Sequence, residues 1–279
     1  MNKCLVTKLN GVVGNNNLPK IDEFRIKLHA VNEENEFTQV LDMRCNSPVT
    51  FKSLNGELLF SKSSEYPSSE FLSEVTFGGS DNITRVYLKN TDATIQVFNK
   101  YSITFISNGG SNEDSGFHGL EVNIDDFKYS RGITDLSFPK SNKKVSGNLG
   151  TLKQMTELTG LDFSGSSISG DISELQDCKK IKRLNFNGCQ NIYGDFSVLG
   201  NFPLNGEWNT SVLGTKIKGS VEDFVKVNRR NGRNTGSFTF HWLGDNATFK
   251  GVPFDPQKNA TNITWTENTI TVDEETITA

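Results

Sequence analysis

Long apolar runs are missing from this chain: no stretch approaches the roughly 20 consecutive apolar residues a helix needs to cross a bilayer, so no membrane insertion is expected. Histidine is nearly absent, with His29, His118 and His241 isolated from one another. The four cysteines, Cys4, Cys45, Cys178 and Cys189, are too scattered for a disulfide framework and lack the Cys-x-x-Cys or histidine spacing of a zinc site. Cys178 and Cys189 are expected to fill small buried positions. No metal and no cofactor is expected. Lysine and arginine form no long run, the net charge is −4 and the pI is about 5.5, so nucleic-acid binding is not expected either. Met1 to Leu9 carries two lysines but no apolar core, which predicts a protein made without a signal peptide in a reducing cytoplasm.

Catalytic patterns are equally scarce. The chain has no glycine-rich phosphate loop ending in Lys-Ser or Lys-Thr, no Gly-x-Ser-x-Gly elbow and no His-Glu-x-x-His. Asp125-Asp126 and Glu33-Glu34 are adjacent carboxylates, and neighbours on a strand point to opposite faces, which defeats a shared acid-base role. A non-enzymatic protein is therefore expected. The alternative is a carbohydrate-cleaving enzyme whose two carboxylates come from distant positions. Arg229, Arg230 and Arg233 form a basic cluster, and read as a solvated loop.

What the chain does have is 20 Phe, 25 Gly and abundant Asn, Ser and Thr in 279 residues, a composition that favours short strands joined by tight turns. The fold class is mostly β. Residues 1–64 read as a small N-terminal β module: Phe24, Ile26, Leu28 and Ala30 share one strand face, Arg25, Lys27 and His29 the other. Asn55-Gly56 suits a hairpin turn. Ser61 to Glu70 reads as a linker, residues 65–132 as degenerate β coils, residues 133–252 as a repeat array and residues 253–279 as a C-terminal cap of Thr-rich strands.

The array rests on one phrase used four times: Val145-Ser-Gly147-Asn-Leu149-x-x-Leu152, Ile168-Ser-Gly170-Asp-Ile172-x-x-Leu175, Ile192-Tyr-Gly194-Asp-Phe196-x-x-Leu199 and Ile217-Lys-Gly219-Ser-Val221-x-x-Phe224. Its glycines are 23, 24 and 25 residues apart, a period that marks stacked units. A strand phrase precedes each: Ile133-Thr-Asp-Leu136-Ser-Phe138, Leu158-Thr-Gly-Leu161-Asp-Phe163 and Ile181-Lys-Arg-Leu184-Asn-Phe186. Each glycine is expected where the backbone turns sharply or touches the next unit. Leu149 to Leu158 and Ile172 to Ile181 are expected to be helical.

These units resemble the leucine-rich repeat, in the variant Leu-x-x-Leu-x-Leu-x-x-Asn-x-Leu-x-Gly-x-Ile-Pro. The resemblance covers about Ile133 to Phe224, with Phe for the third Leu, no Pro, and Asn at the ladder position only in some units. It implies a short solenoid. Cys4-Leu-Val-Thr-Lys-Leu-Asn-Gly-Val-Val13, with Leu18, Ile21 and Glu23, is similar to the opening of small β modules in proteins of Bacteroidetes and of the crAss-like phages that infect them, where it is found on virion proteins, fibre-like capsid proteins among them. That similarity implies a capsid-attached head fibre or decoration subunit, homo-oligomeric, docked on the virion through its N-terminal module, with a host-surface glycan or protein as a further partner. A bacterial leucine-rich-repeat adhesin is the alternative. The outward strand positions Thr159, Asp162, Ser164, Arg183, Asn185, Asn187, Thr239 and His241 are the expected contact residues.

Overall fold

The computed structural model describes residues 23–28, 38–55, 58–62, 74–77, 84–88, 93–107, 120–139, 144–204, 210–241, 243–255 and 257–278, and it is mostly β. The phage-like opening, His29, Ala30, Glu33-Glu34, Gly56, the linker from 63 onward, His118 and Trp242 lie outside the described residues.

The first nine described strands are β1 (Glu23–Leu28), β2 (Thr38–Cys45), β3 (Val49–Asn55), β4 (Leu58–Lys62), β5 (Glu74–Phe77), β6 (Thr84–Leu88), β7 (Ala93–Phe98), β8 (Ile103–Ser107) and β9 (Leu120–Asn123). Alternation decides their orientation. In β1 the side chains of Phe24, Ile26 and Leu28 are buried while Arg25 and Lys27 are exposed, and in β7 Ala93, Ile95 and Val97 are buried. One antiparallel layer runs β9-β1-β7-β3-β5 and the other β8-β2-β6-β4. Their inward side chains belong to one continuous core, in which Phe24 meets Phe127 edge-on at 4.9 Å.

Three expectations for this part are corrected. Strands on either side of residue 64 pair with one another, β3 with β5 and β7 and β4 with β6, so the 1–64 boundary does not separate hydrogen-bonded units. β3 and β4 lie in different layers, so the chain crosses at Asn55 rather than folding back in a hairpin. Within residues 65–132, β5, β6 and β7 complete the antiparallel layers, and only β8 and β9 continue into the repeats. The cause is that an alternating strand pairs equally well in either direction; its burial pattern fixes its face, not its partner.

The repeats add β10 (Asp135–Ser137), β11 (Val145–Ser146), β12 (Gly160–Asp162), β13 (Ser169–Asp171), β14 (Arg183–Asn185), β15 (Asn191–Asp195) and β16 (Lys216–Ser220). Here the described strands pair in parallel. Leu136 stands beside Leu161 and Leu161 beside Leu184, while β8 pairs β10 and β9 pairs β11. β8 and β9 are thus seams, antiparallel to the strand on one side and parallel to the strand on the other. A second ladder runs β13-β15-β16.

Within each unit the inward positions are filled completely. Val145, Ile168, Ile192 and Ile217 are fully buried, as are Leu149, Ile172, Phe196 and Val221. The Phe that ends each strand phrase stacks on its neighbours: Phe138 on Phe163 at 6.2 Å and Phe163 on Phe186 at 6.1 Å, with planes within 10° and 6°. Gly147, Gly170 and Gly194 have φ of 121°, 126° and 123°, and a Cβ on Gly194 would lie 2.5 Å from Oδ1 of Asp171 in the preceding unit. Both expected reasons for glycine therefore hold there. The helical segments are 3-10 turns, Leu149–Gln154 and Ile172–Leu175, shorter than expected. A 3-10 turn rises about 2.0 Å per residue against 1.5 Å in an α-helix, so it closes a short unit with fewer residues.

The C-terminal part comprises α1 (Val221–Arg230), β17 (Gly236–His241), β18 (Ala247–Phe249), β19 (Val252–Pro253), β20 (Ala260–Trp265), β21 (Thr269–Val272) and β22 (Glu275–Thr278). Strand β18 extends the second ladder from β16, while β17-β20-β21-β22 form an antiparallel sheet. Trp265 packs edge-on against Phe224 at 6.0 Å, and its indole N–H donates to the Arg233 carbonyl at 2.8 Å. Arg229 and Arg233 are not a solvated pair. Arg229 donates to the carbonyls of Thr266 and Thr269, and Arg233 to Asn228 Oδ1 and the Gly200 carbonyl, so they tie α1 to its neighbours.

Candidate functional site

The outward face of β10, β12 and β14 gathers six of the eight expected contact residues. Thr159 directly precedes β12, and its hydroxyl donates to Asp135 Oδ2 at 3.1 Å. Asp162 accepts from the Ser164 N–H at 3.0 Å and from Asn185 Nδ2 at 3.2 Å. Asn185 Oδ1 in turn accepts the Asn187 N–H at 3.1 Å. Each acceptor thus holds the turn two residues on, the local bond that makes Asp and Asn turn formers. Arg183 reaches back across β12 to pair with Asp135.

The electrostatics follow from this crowding. Burial pushes the Asp162 carboxyl above its ordinary value of 3.8, against the lowering effects of the bonds from Ser164 and Asn185 and of the Arg183 charge. The face is a lattice of cross-strand bonds, with Arg183 its most exposed member at 52%. Its chemistry is that of hydrogen bonding over an extended surface.

Thr239 and His241 stand apart on β17. The Thr239 hydroxyl bonds to Asn262 Oδ1 at 2.8 Å, in the antiparallel sheet. A backbone bond from the His241 N–H to the Thr210 carbonyl at 3.2 Å links β17 to the ladder, where Ser211 bridges to Asn185. Asp125, one of the adjacent carboxylates, accepts from the Asn148 N–H and the Thr151 hydroxyl. Among the described residues no cluster of His, Cys, Asp or Glu is arranged to hold a metal. No helix among them is long and apolar enough to cross a membrane. Cys178 and Cys189 are fully buried, with Cys189 Sγ bonded to the Phe163 carbonyl at 2.9 Å.

A hollow of about 680 Å³ lies over β1, β7 and β9, lined by Arg25, Lys27, Thr94, Glu121, Asn123 and Asp126 among others. Lys27 and Glu121 form an ion pair across it at 2.7 Å.

Two features went unread in the sequence. The residue after each repeat glycine caps the turn that follows: Asn148, Asp171 and Asp195 each accept the N–H two residues on at 2.8 Å, and Ser220 accepts that of Asp223 at 3.0 Å. The signal was there, since Asn, Asp, Asp and Ser are the capping residue types. The other is Tyr193. Position by position in the phrase it stands where other units have Ser146, Ser169 and Lys218, an outward site, and its side chain is 50% exposed.

Comparison with family models, with curated proteins and with solved structures finds no match to this chain.

Proposed function

We propose that this chain is a non-enzymatic structural protein of a phage virion, a capsid-attached head fibre or decoration subunit that displays a short leucine-rich-repeat-like solenoid. The observation that carries the reading is the wiring of the outward ladder face. Asp135, Thr159, Asp162, Arg183 and Asn185 are bonded to one another across strands and do not converge on a cleft. Such a face suits recognition over a broad surface, the usual work of stacked repeats. The resemblance of about the first 25 residues to virion β modules supports the address.

The anchoring role belongs to residues 1–22 in this reading. Residues 23–62 are unsuited to a detachable anchor, since β1 to β4 are hydrogen-bonded to strands beyond residue 64. The test is deletion of residues 1–22, with incorporation followed by mass spectrometry of purified virions and folding by circular dichroism. Loss of incorporation with an unchanged spectrum is expected. Normal incorporation of the folded deletion overturns the anchoring claim.

A further inference from the structure

Tyr193 sits in the second ladder, on β15, in a different place from the face just described. In register it has Asp171 of β13 on one side and Lys216 of β16 on the other. Asn191 and Asp195, two residues before and after it, share its face, while Ile192 between them is buried. Neighbouring strands lie about 4.8 Å apart and alternate residues about 6.6 Å, so four polar side chains ring the phenol at distances comparable to one sugar ring.

Those side chains are held in place. Asp171 and Asp195 each give Oδ1 to the N–H of the residue two on, Ser173 and Ser197, both at 2.8 Å. That bond holds the carboxylate through one oxygen and leaves the other as a further acceptor. The Lys216 side chain has no hydrogen bond or ion pair among the described residues and supplies the donors. Lys218, by contrast, is engaged with Asp245 at 2.8 Å.

We propose that Tyr193, with Asp171, Asn191, Asp195 and Lys216, is a binding site for a neutral pyranose ring of a polysaccharide. A pyranose offers an apolar C–H face to stack on the aromatic ring and equatorial hydroxyls to meet acceptors and donors at its rim. The chemistry argues against other occupants. An anionic ligand meets two fixed carboxylates beside the aromatic ring. A protein interface has a core depleted of charge and built from several apolar anchors, whereas here one aromatic side chain is encircled by charge. The proposal does not rest on the virion reading, because its residues belong to another ladder and its test needs no virion.

The test is two-dimensional amide NMR of the full chain, titrated with methyl glycosides of glucose, galactose, mannose and N-acetylglucosamine, each to about 20 mM, since a single ring on an open face binds at about millimolar Kd. At least one glycoside is expected to shift the amides of Asn191, Tyr193 and Lys216. Tyr193→Ala should weaken that binding about tenfold or more, while Tyr193→Phe, which keeps the ring face, should stay within about threefold. Asp195→Asn retains the turn-capping oxygen and should weaken binding several-fold through loss of the charged acceptor. The remaining amide spectrum reports that each variant is folded. Absence of shifts at these amides across the four glycosides overturns the proposal, and so does binding that survives Tyr193→Ala.

Discussion

Asp135 and Arg183 stand on strands that are not neighbours, and their ion pair passes over Gly160 on the strand between them. A Cβ at Gly160 would meet Asp135 Oδ1 and would lie 2.7 Å from Arg183 Nη2. Both are the ends of movable side chains. Gly160→Ala is therefore expected to separate the pair and yet change stability by no more than about 1 kcal/mol, since an exposed pair is worth little. Gly194→Ala is the contrast, because a φ of 123° strains any residue with a Cβ, and the Asp171 Oδ1 that such a Cβ would approach to 2.5 Å is held by the Ser173 N–H. A loss of at least about 2 kcal/mol is expected. Urea denaturation of the two variants side by side measures the difference, and equal losses would refute this account of the two glycines.

The stacked rings of Phe138, Phe163 and Phe186 make the middle one the most exacting to replace. Phe163→Ala removes a fully buried side chain between two parallel neighbours and should cost about 3–5 kcal/mol. Phe163→Leu, which keeps a branched apolar side chain in the site, should cost markedly less. A chemical-denaturation midpoint that hardly moves for Phe163→Ala would contradict the stack as a source of stability.

Asp162 predicts a pH dependence of definite sign. Its folded pKa is raised above the ordinary 3.8, so the folded state favours the protonated carboxyl. The stability this contributes is fully present below the unfolded value and is lost as pH rises through the folded one. Asp162→Asn removes that falling segment. The stability of the wild type relative to Asp162→Asn should decline with rising pH from about pH 4 and level off above the raised pKa. A relative stability that is flat, or that rises over this window, would reverse the assignment to burial.

The thiols offer a test of packing that needs no mutation. Burial pushes Cys45 up to about 12 and Cys178 up to about 11, and raises Cys189 as well. At pH 8 these three should resist iodoacetamide in the folded protein and react once it is unfolded in urea. Rapid native labelling of Cys178 or Cys189, followed by peptide mass spectrometry, would show that the repeat interior is open.

Much of this fold was legible because the repeat is written in residues whose burial is all or none. Val145, Ile168, Ile192 and Ile217 had to face inward together, and the glycines beside them had to be glycines. The antiparallel part was legible only strand by strand. The alternation of Phe24, Ile26 and Leu28 names a buried face, but β1 finds β7 some 70 residues away through pairing that no local pattern encodes. The outward face of β10, β12 and β14 was half legible. Thr159, Asp162, Arg183 and Asn185 were predicted to point outward, but their bonds to one another depend on the register of three strands and on the gap at Gly160. Thr239 and His241 carry the same alternating signature as those residues, and only their pairing with β20 separates them from the ladder.

The seams at β8 and β9 bear on how such a chain can vary. Pairing turns from antiparallel to parallel at this end of the array and turns back at β18, which is parallel to β16 and antiparallel to β19; between them the described repeat strands meet through parallel contacts. An additional unit of 23 to 25 residues, inserted within the array, would reproduce contacts already present and leave both ends as they are. The terminal sheet would then stand about 4.8 Å further out for each unit added. The reach of the molecule is therefore a quantity that changes in whole steps, independently of what either end is built to hold.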